Sequence, residues 1–266
     1  MVYGVILIYY DKYYKKAISE FTSLVSSINR NYKIIVVSNN DNLCNKGFIK
    51  GDNEQWEFSG WDVALRNIAS NLKEKDSVIF SNDTFCYHNS WEKRDVAYFK
   101  LNFKAYYLKN YFFRTRAIIG SVQSLGGEFN ILGHKSDTWV STYLFMLTGG
   151  LFKELTRLSI PFPEINNLVY LNEDNKIHWS NAVSNNLREH ITSWIFPNSD
   201  TDGWYNKDAT LTFKVAKIKA ILNEKHLSAK CCSLGGNVID VYVLKRIRRK
   251  VKEYLPDRII NFIRDK

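Results

Sequence analysis

The chain has 266 residues, of which 45% are hydrophobic, 24% charged and 15% aromatic, with a formal net charge of +10. That length buries one sizeable core, or one core with a small appendage. No window approaches the roughly 20 apolar residues of a transmembrane helix, which argues for a soluble or peripheral protein.

The charge is unevenly placed. From Val241 to Lys266 there are nine Lys/Arg and three acids, so 9 − 3 = +6 of the +10 lies in the last 26 residues. A basic tail on a mildly basic body points to a surface-binding segment and away from a nucleic-acid-binding body, for which no motif is present. The four cysteines, Cys44, Cys86, Cys231 and Cys232, show neither CxxC nor Cys/His zinc spacing. Without a disulfide framework, a reducing cytoplasm is the expected compartment. The apolar N-terminus has no basic stretch before it and does not read as a secretory signal.

In chain order, Val2 to Tyr10 is a near-continuous apolar run, the pattern of a strand buried on both faces. Asp11 is positioned to cap a helix from Lys12 to Asn29. Lys33 to Val37 reads as a second buried strand, ending in Ser38-Asn39-Asn40-Asp41. Phe58 to Asp62 reads as a turn pivoting on Gly60, and an apolar stripe from Val63 to Leu72 predicts a helix. Val78-Ile79-Phe80 is a third short buried strand, stopping at Ser81-Asn82-Asp83-Thr84. Alternation of strand and helix implies a parallel sheet with right-handed crossovers. Three strand ends then share one edge: Tyr9/Tyr10, Asn39/Asn40 and Asn82/Asp83/Thr84. Open α/β sheets bind ligands at that edge. Because strand side chains alternate, only one of Tyr9 and Tyr10 is expected to face a cleft.

The distal half is less regular. His88 to Asn110 is aromatic and charged without a clean period. Ala117 to Ile119 reads as a strand, Gly126-Gly127 as a turn and Phe129 to Leu132 as a strand or edge. Asp137 or Ser136 caps a predicted helix from Trp139 to Leu147, which Gly149-Gly150 breaks before a short helix from Leu151 to Leu158. Leu168 to Leu171 is a small strand. Ser180-Asn181 caps a predicted helix through Trp194. Pro197 to Trp204 is a polar loop of turn formers, fit for a lid or linker. Phe213 to Leu222 is a helix, and Val238 to Val251 an amphipathic basic one. These elements suggest one domain over 1–205, in two parts over about 1–120 and 121–205 that the resemblance described next implies are a donor half and an acceptor half, followed by a basic helical extension over 206–266.

The polar edge resembles the donor half of GT-A glycosyltransferases, and implies a GT-A-like, Rossmann-like α/β fold with a C-terminal amphipathic helical tail. A narrower resemblance rests on Gly60-Trp61-Asp62-Val63-Ala64-Leu65-Arg66, on the strand end Asn82-Asp83-Thr84, and on Trp139 to Phe145. Those segments are similar to the rhamnan-synthesis protein F family and related bacterial O-antigen and capsule glycosyltransferases. The resemblance implies transfer of a sugar from a nucleotide-diphosphate donor, dTDP-rhamnose among the candidates, onto a surface polysaccharide or lipid-linked glycan. It implies that Asn82, Asp83 and Thr84 hold the diphosphate, that Tyr10, Asn39 and Asn40 line the nucleoside site, and that Asp62 and Arg66 meet donor sugar or phosphate. Where the GT-A fold often carries an Asp-X-Asp motif, this chain has a single carboxylate. Asp83 then ligates Mg²⁺ or Mn²⁺ with phosphate oxygens and waters, or a cation such as Arg66 replaces the metal.

Each residue also has a plainer reading: Asp83 and the asparagines as turn formers, Asp62 as a helix cap. Transfer with inversion needs a base for the acceptor hydroxyl. Glu189 is the first candidate and Asp137 the second, with Glu164 and Asp174 behind them. The basic tail is expected to dock at the anionic inner face of the cell membrane. The rival expectation is a non-catalytic, glycosyltransferase-like interaction protein tethered by that tail.

Overall fold

The computed structural model of the chain describes residues 1–44, 46–197 and 203–243. Strand β1 (Val2–Ile8) is buried along its whole length. It is followed by α1 (Tyr14–Ile28), β2 (Tyr32–Ser38), the one-turn α2 (Asp41–Cys44), the two-residue β3 (Ile49–Lys50), α3 (Glu57–Ile68) and β4 (Ser77–Asn82). Then come α4 (Lys93–Phe113), β5 (Ala117–Ile131), β6 (His134–Thr148), α5 (Gly149–Leu155) and α6 (Phe162–Leu168). A hairpin of β7 (Val169–Leu171) and β8 (Ile177–Trp179), the helices α7 (Asn185–Ile195) and α8 (Leu211–Ser233), and β9 (Asn237–Asp240) complete the described chain.

The main sheet runs β3-β2-β1-β4-β6-β5-β9. Only β6 is antiparallel to its neighbours; every other adjacent pair is parallel. The α/β class, with a mostly parallel sheet flanked by helices, is therefore as the alternation of elements predicts. Side-chain alternation along β1 divides the core. Tyr3, Val5 and Leu7 pack with Phe58, Trp61 and Leu65 of α3, while Val2, Ile6 and Ile8 pack with α1 and α4. A third cluster joins Phe129 and Trp139 to α7 and to Ile218 and Leu222 of α8. Of the predicted extension, the described residues 206–243 belong to this body: α8 shares the third cluster and β9 extends the sheet.

Several predicted elements change form. Residues 139–147 are strand, not helix: β6 pairs with β4 on one side and β5 on the other, and a run buried on both faces carries no period to tell the two apart. Residues 93–113 form one long helix, α4, started by a reciprocal capping box between Glu92 and Asp95. Its apolar residues lie on two faces, which hides the single stripe that marks an amphipathic helix. Phe58 to Asp62 is not a turn but the first turns of α3. Gly60 is needed there because a Cβ would run into the Leu7 side chain and stand 3.1 Å from Asn39 Oδ1. Tyr13, not Asp11, precedes α1, and Ser184, not Ser180, precedes α7. Val238 lies in β9 rather than a helix; the rest of the predicted basic helix, from 244 on, lies outside the described residues.

A buried polar network fixes α3 against α8 through the loop between α5 and α6. Asp62 accepts from the Leu158 amide at 2.7 Å, the Ser159 amide at 3.2 Å and the Ser159 hydroxyl at 2.5 Å. Asn223 Oδ1 accepts from the Ile160 amide at 2.7 Å, and Asn223 Nδ2 donates to Gln55 Oε1 at 2.8 Å. Gln55 Nε2 closes the ring on the Ile160 carbonyl at 2.9 Å. Asn223→Leu strands the Ile160 amide and the Gln55 carbonyl in the interior, at about 1–3 kcal/mol for each. Urea unfolding should show a lowered midpoint with an unchanged slope.

His226, at 6% exposure beside His134, is pushed down to about 3, first by burial and then by the His134 and Lys230 charges. The unfolded chain therefore takes up this proton first. The folded state loses stability as pH falls below the ordinary value of 6.5, and the loss levels off near pH 3. His226→Leu should flatten the acid slope of the melting temperature between those limits, measured by calorimetry.

Candidate functional site

The site begins where β2, β1 and β4 end side by side at the carboxyl edge of the sheet. As the chain leaves β1, its next two amides lose their ladder partners and need acceptors. The Asp83 carboxylate supplies one: Oδ2 accepts from both the Tyr9 and the Tyr10 amides at 2.7 Å. Asn40 Nδ2 donates to the Tyr9 carbonyl at 2.7 Å. These bonds set the backbone from which both tyrosine rings project. Asp83 is buried, and burial raises its pKa most. The two amides act in the opposite direction, and the nearby Glu57 charge adds to the rise.

A cavity of 330 Å³ opens at this edge, at the small end of the range for ligand sites. Its floor is Tyr9, Tyr10, Asn82, Asp83 and Thr84, with Asn39 at one side. Both tyrosines line it, because they lie beyond the end of β1 and escape strand alternation. Trp56 and Glu57 form the opposite wall. Trp56 has φ 53° and ψ −127°, a conformation that a non-glycine residue holds only when its surroundings impose it. Asn39 does so here: its Nδ2 donates to the Trp56 carbonyl at 2.9 Å and to Asn53 Oδ1 at 3.1 Å. Asn39 Oδ1 is buried without a hydrogen-bond partner.

Aromatic rings close the far side. Trp204 stacks on Phe213 at 5.9 Å, and Phe213 meets Trp56 at 5.4 Å. Tyr205 is 81% exposed at the rim. Most of the polar loop before Trp204 lies outside the described residues.

A second cavity of 420 Å³ lies on the other side of Glu57 and Lys217, which line both. Its polar groups include Gln123, Ser141, His190, Glu224 and Lys225. Glu224 Oε2 accepts from the Thr142 amide at 2.8 Å and hydroxyl at 2.9 Å. Lys225 Nζ sits 3.7 Å from the centre of the Trp139 ring and 3.8 Å from Glu224 Oε1. Burial pushes Lys225 down to about 8 against the pull of Glu224.

Of the residues singled out from sequence, Tyr10, Asn39, Asn82, Asp83 and Thr84 line the first cavity. Asn40 does not; it braces the Tyr9 backbone. Asp62 is neither a helix cap nor a cavity residue, because its carboxylate is consumed by Leu158 and Ser159. Arg66 lies exposed on α3, away from both cavities. Glu189 is exposed on α7, and Asp137 is exposed on strand β6, where it bonds the Thr138 hydroxyl at 3.2 Å. Neither lines either cavity. Sequence reasoning missed Trp56, Glu57, Lys217, Glu224 and Lys225. The seven-residue step from Lys217 to Glu224 marks one helix face, but it becomes readable only when the helix runs past Leu222.

An Mg²⁺ or Mn²⁺ ion needs several oxygen donors. Asp83 offers one carboxylate, with Oδ2 already shared by two amides. Among the described residues no group of three or more His, Cys, Asp or Glu could hold a metal. This donor set does not fit an ion held by the protein. Comparison with family models, with curated proteins and with solved structures finds no match.

Lys225 makes the second cavity's electrostatics testable. Its folded value of about 8 lies below its ordinary 10.5, so the buried cation costs stability in full below pH 8. The cost is relieved as pH rises from about 8 to 10.5. Lys225→Met should raise the melting temperature at pH 7 and remove that alkaline rise, measured by thermal denaturation across the window.

Proposed function

We propose that the chain is a glycosyltransferase with a GT-A-like donor half, moving a sugar from a nucleotide-diphosphate donor to a hydroxyl acceptor. The observation that carries this reading is a pair of neighbouring cavities that share Glu57 and Lys217 in their linings. Group transfer between two bound molecules needs two compartments with an acid–base group and a charge stabiliser where they meet.

In this reading the first cavity takes the donor. Tyr9, Tyr10 and Trp56 offer ring faces to base or sugar. Lys217 supplies positive charge to the diphosphate, and Asn82 and Thr84 supply hydrogen-bonding groups. The acceptor occupies the second cavity, near Gln123 and Glu224. Glu57 takes the proton of the attacking hydroxyl. The acceptor oxygen forms its bond to the anomeric carbon, and the bond from that carbon to the diphosphate oxygen breaks. Its electron pair leaves on the diphosphate, whose growing charge Lys217 stabilises. Glu57 replaces Glu189 and Asp137 as the base because it lines both compartments.

The acceptor class, a bacterial surface polysaccharide or lipid-linked glycan, and a position at the inner face of the membrane rest on the sequence resemblance and the basic tail. Among the described residues no helix is long and apolar enough to cross a membrane. The bonding of Asp83 to backbone amides favours one rival, a domain that binds nucleotide sugars without turning them over.

The test is Glu57→Gln assayed against a panel of nucleotide sugars. Turnover or donor hydrolysis should fall by about 10²–10⁴-fold, while nucleoside diphosphate affinity changes little. Full turnover in the variant removes Glu57 as the base. Binding with no turnover in the unaltered protein supports the non-catalytic rival.

A further inference from the structure

Helix α4 carries two apolar stripes, and the described residues cover only one. The inner stripe, Phe99, Phe103 and Tyr107, packs on α1 and the sheet. On the opposite face Leu101, Ala105, Leu108 and Phe112 recur at steps of four, three and four, one helix face by geometry. Leu101 is 58% exposed, Phe112 69% and the adjoining Phe113 76%. Leu101, Leu108 and Phe112 thus expose apolar surface along one face, with Phe113 at the last residue of the helix about a quarter-turn aside, the kind of surface that takes a partner.

The rim of this face selects the partner. Between Lys93 and Arg114 there are six Lys/Arg and one acid. That acid, Asp95, points inward and accepts from the Ser90 hydroxyl at 2.6 Å and the Tyr242 hydroxyl at 3.1 Å. Lys100 and Lys104 flank the stripe on one side and Lys109 on the other, all exposed. The described chain ends beside this helix: Tyr242 packs on Tyr98 and Phe99, and Asn102 Nδ2 donates to the Val241 carbonyl at 3.0 Å. The 23 residues beyond Val243 carry nine Lys/Arg and three acids. Laying that segment over α4 would set like charges together, whereas one anionic surface satisfies both.

We infer that α4 lies flat on an anionic lipid bilayer. Leu101, Leu108, Phe112 and Phe113 enter the headgroup boundary, and Lys100, Lys104 and Lys109 reach the lipid phosphates. Helix α4 packs on the sheet face opposite α3, so docking leaves the Trp56–Glu57 wall uncovered. The inference does not depend on the transfer reaction.

The test is co-sedimentation of the full chain with vesicles of phosphatidylcholine alone, or mixed in equal parts with phosphatidylglycerol. The unaltered protein should bind the anionic vesicles and leave the neutral ones. The combined Leu108→Ser, Phe112→Ser and Phe113→Ser variant, which keeps the basic tail, should lose at least about tenfold in partitioning. Its circular dichroism melt should be unchanged. Lys100→Gln, Lys104→Gln and Lys109→Gln together provide a second reading should the first variant misfold, and should weaken binding in the same direction. Undiminished binding by the folded triple-serine or triple-glutamine variant, equal binding to neutral vesicles, or a dimer in solution that the serine variant abolishes, would each overturn the inference.

Discussion

The arrangement of the site depends on how α3 and α8 are joined, and that joint is a buried polar one. Asp62, Gln55 and Asn223 converge on the backbone of Leu158, Ser159 and Ile160. An apolar contact would tolerate sliding between two helices. Directional bonds to three consecutive residues do not, because each buried donor left unpaired costs about 1–3 kcal/mol. The joint holds the start of α3, with Trp56 and Glu57, against the face of α8 that carries Lys217 and Glu224. The wall shared by the two cavities is a consequence of that distance being fixed.

A second constraint works at the sheet edge. Asp83 ties the amides that follow β1 to the end of β4, and Asn40 ties the Tyr9 carbonyl to the end of β2. Asp83 thereby shapes the cavity floor. A carboxylate after a buried strand is thus informative about position in the fold even where it contacts no ligand. The strained backbone at Trp56, held by Asn39, is of the same kind: local cost accepted where a side chain must be aimed.

The parallel half of the sheet was legible because β1 and β4 are short and buried, β2 is a short apolar run buried toward its end, and each is followed by polar residues. The shared edge follows from chain order alone. What stayed hidden had physical causes. The run from Trp139 to Leu147 is buried on both sides, so no period distinguishes strand from helix. Helix α4 is apolar on both faces and reads as noise. Gly60 resembles a turn glycine but serves close packing against Leu7. The resemblance makes Asp62 and Arg66 site residues, yet in α3 the Asp62 carboxylate is held by Leu158 and Ser159 and Arg66 is exposed away from the cavity linings. Glu57 could not be singled out because its place in the linings of two cavities is created by α8, more than 150 residues later in the chain.

In the proposed site the two cavities act together, with the nucleoside diphosphate on the Tyr9–Asp83 side. Hydrogen–deuterium exchange with saturating nucleoside diphosphate tests it directly. Exchange should slow in residues 9–10, 53–57, 82–84 and 203–217, with residues 139–142 of the second cavity unchanged until an acceptor is added. Protection confined to residues outside the first cavity, or no protection with any nucleoside diphosphate, would contradict it.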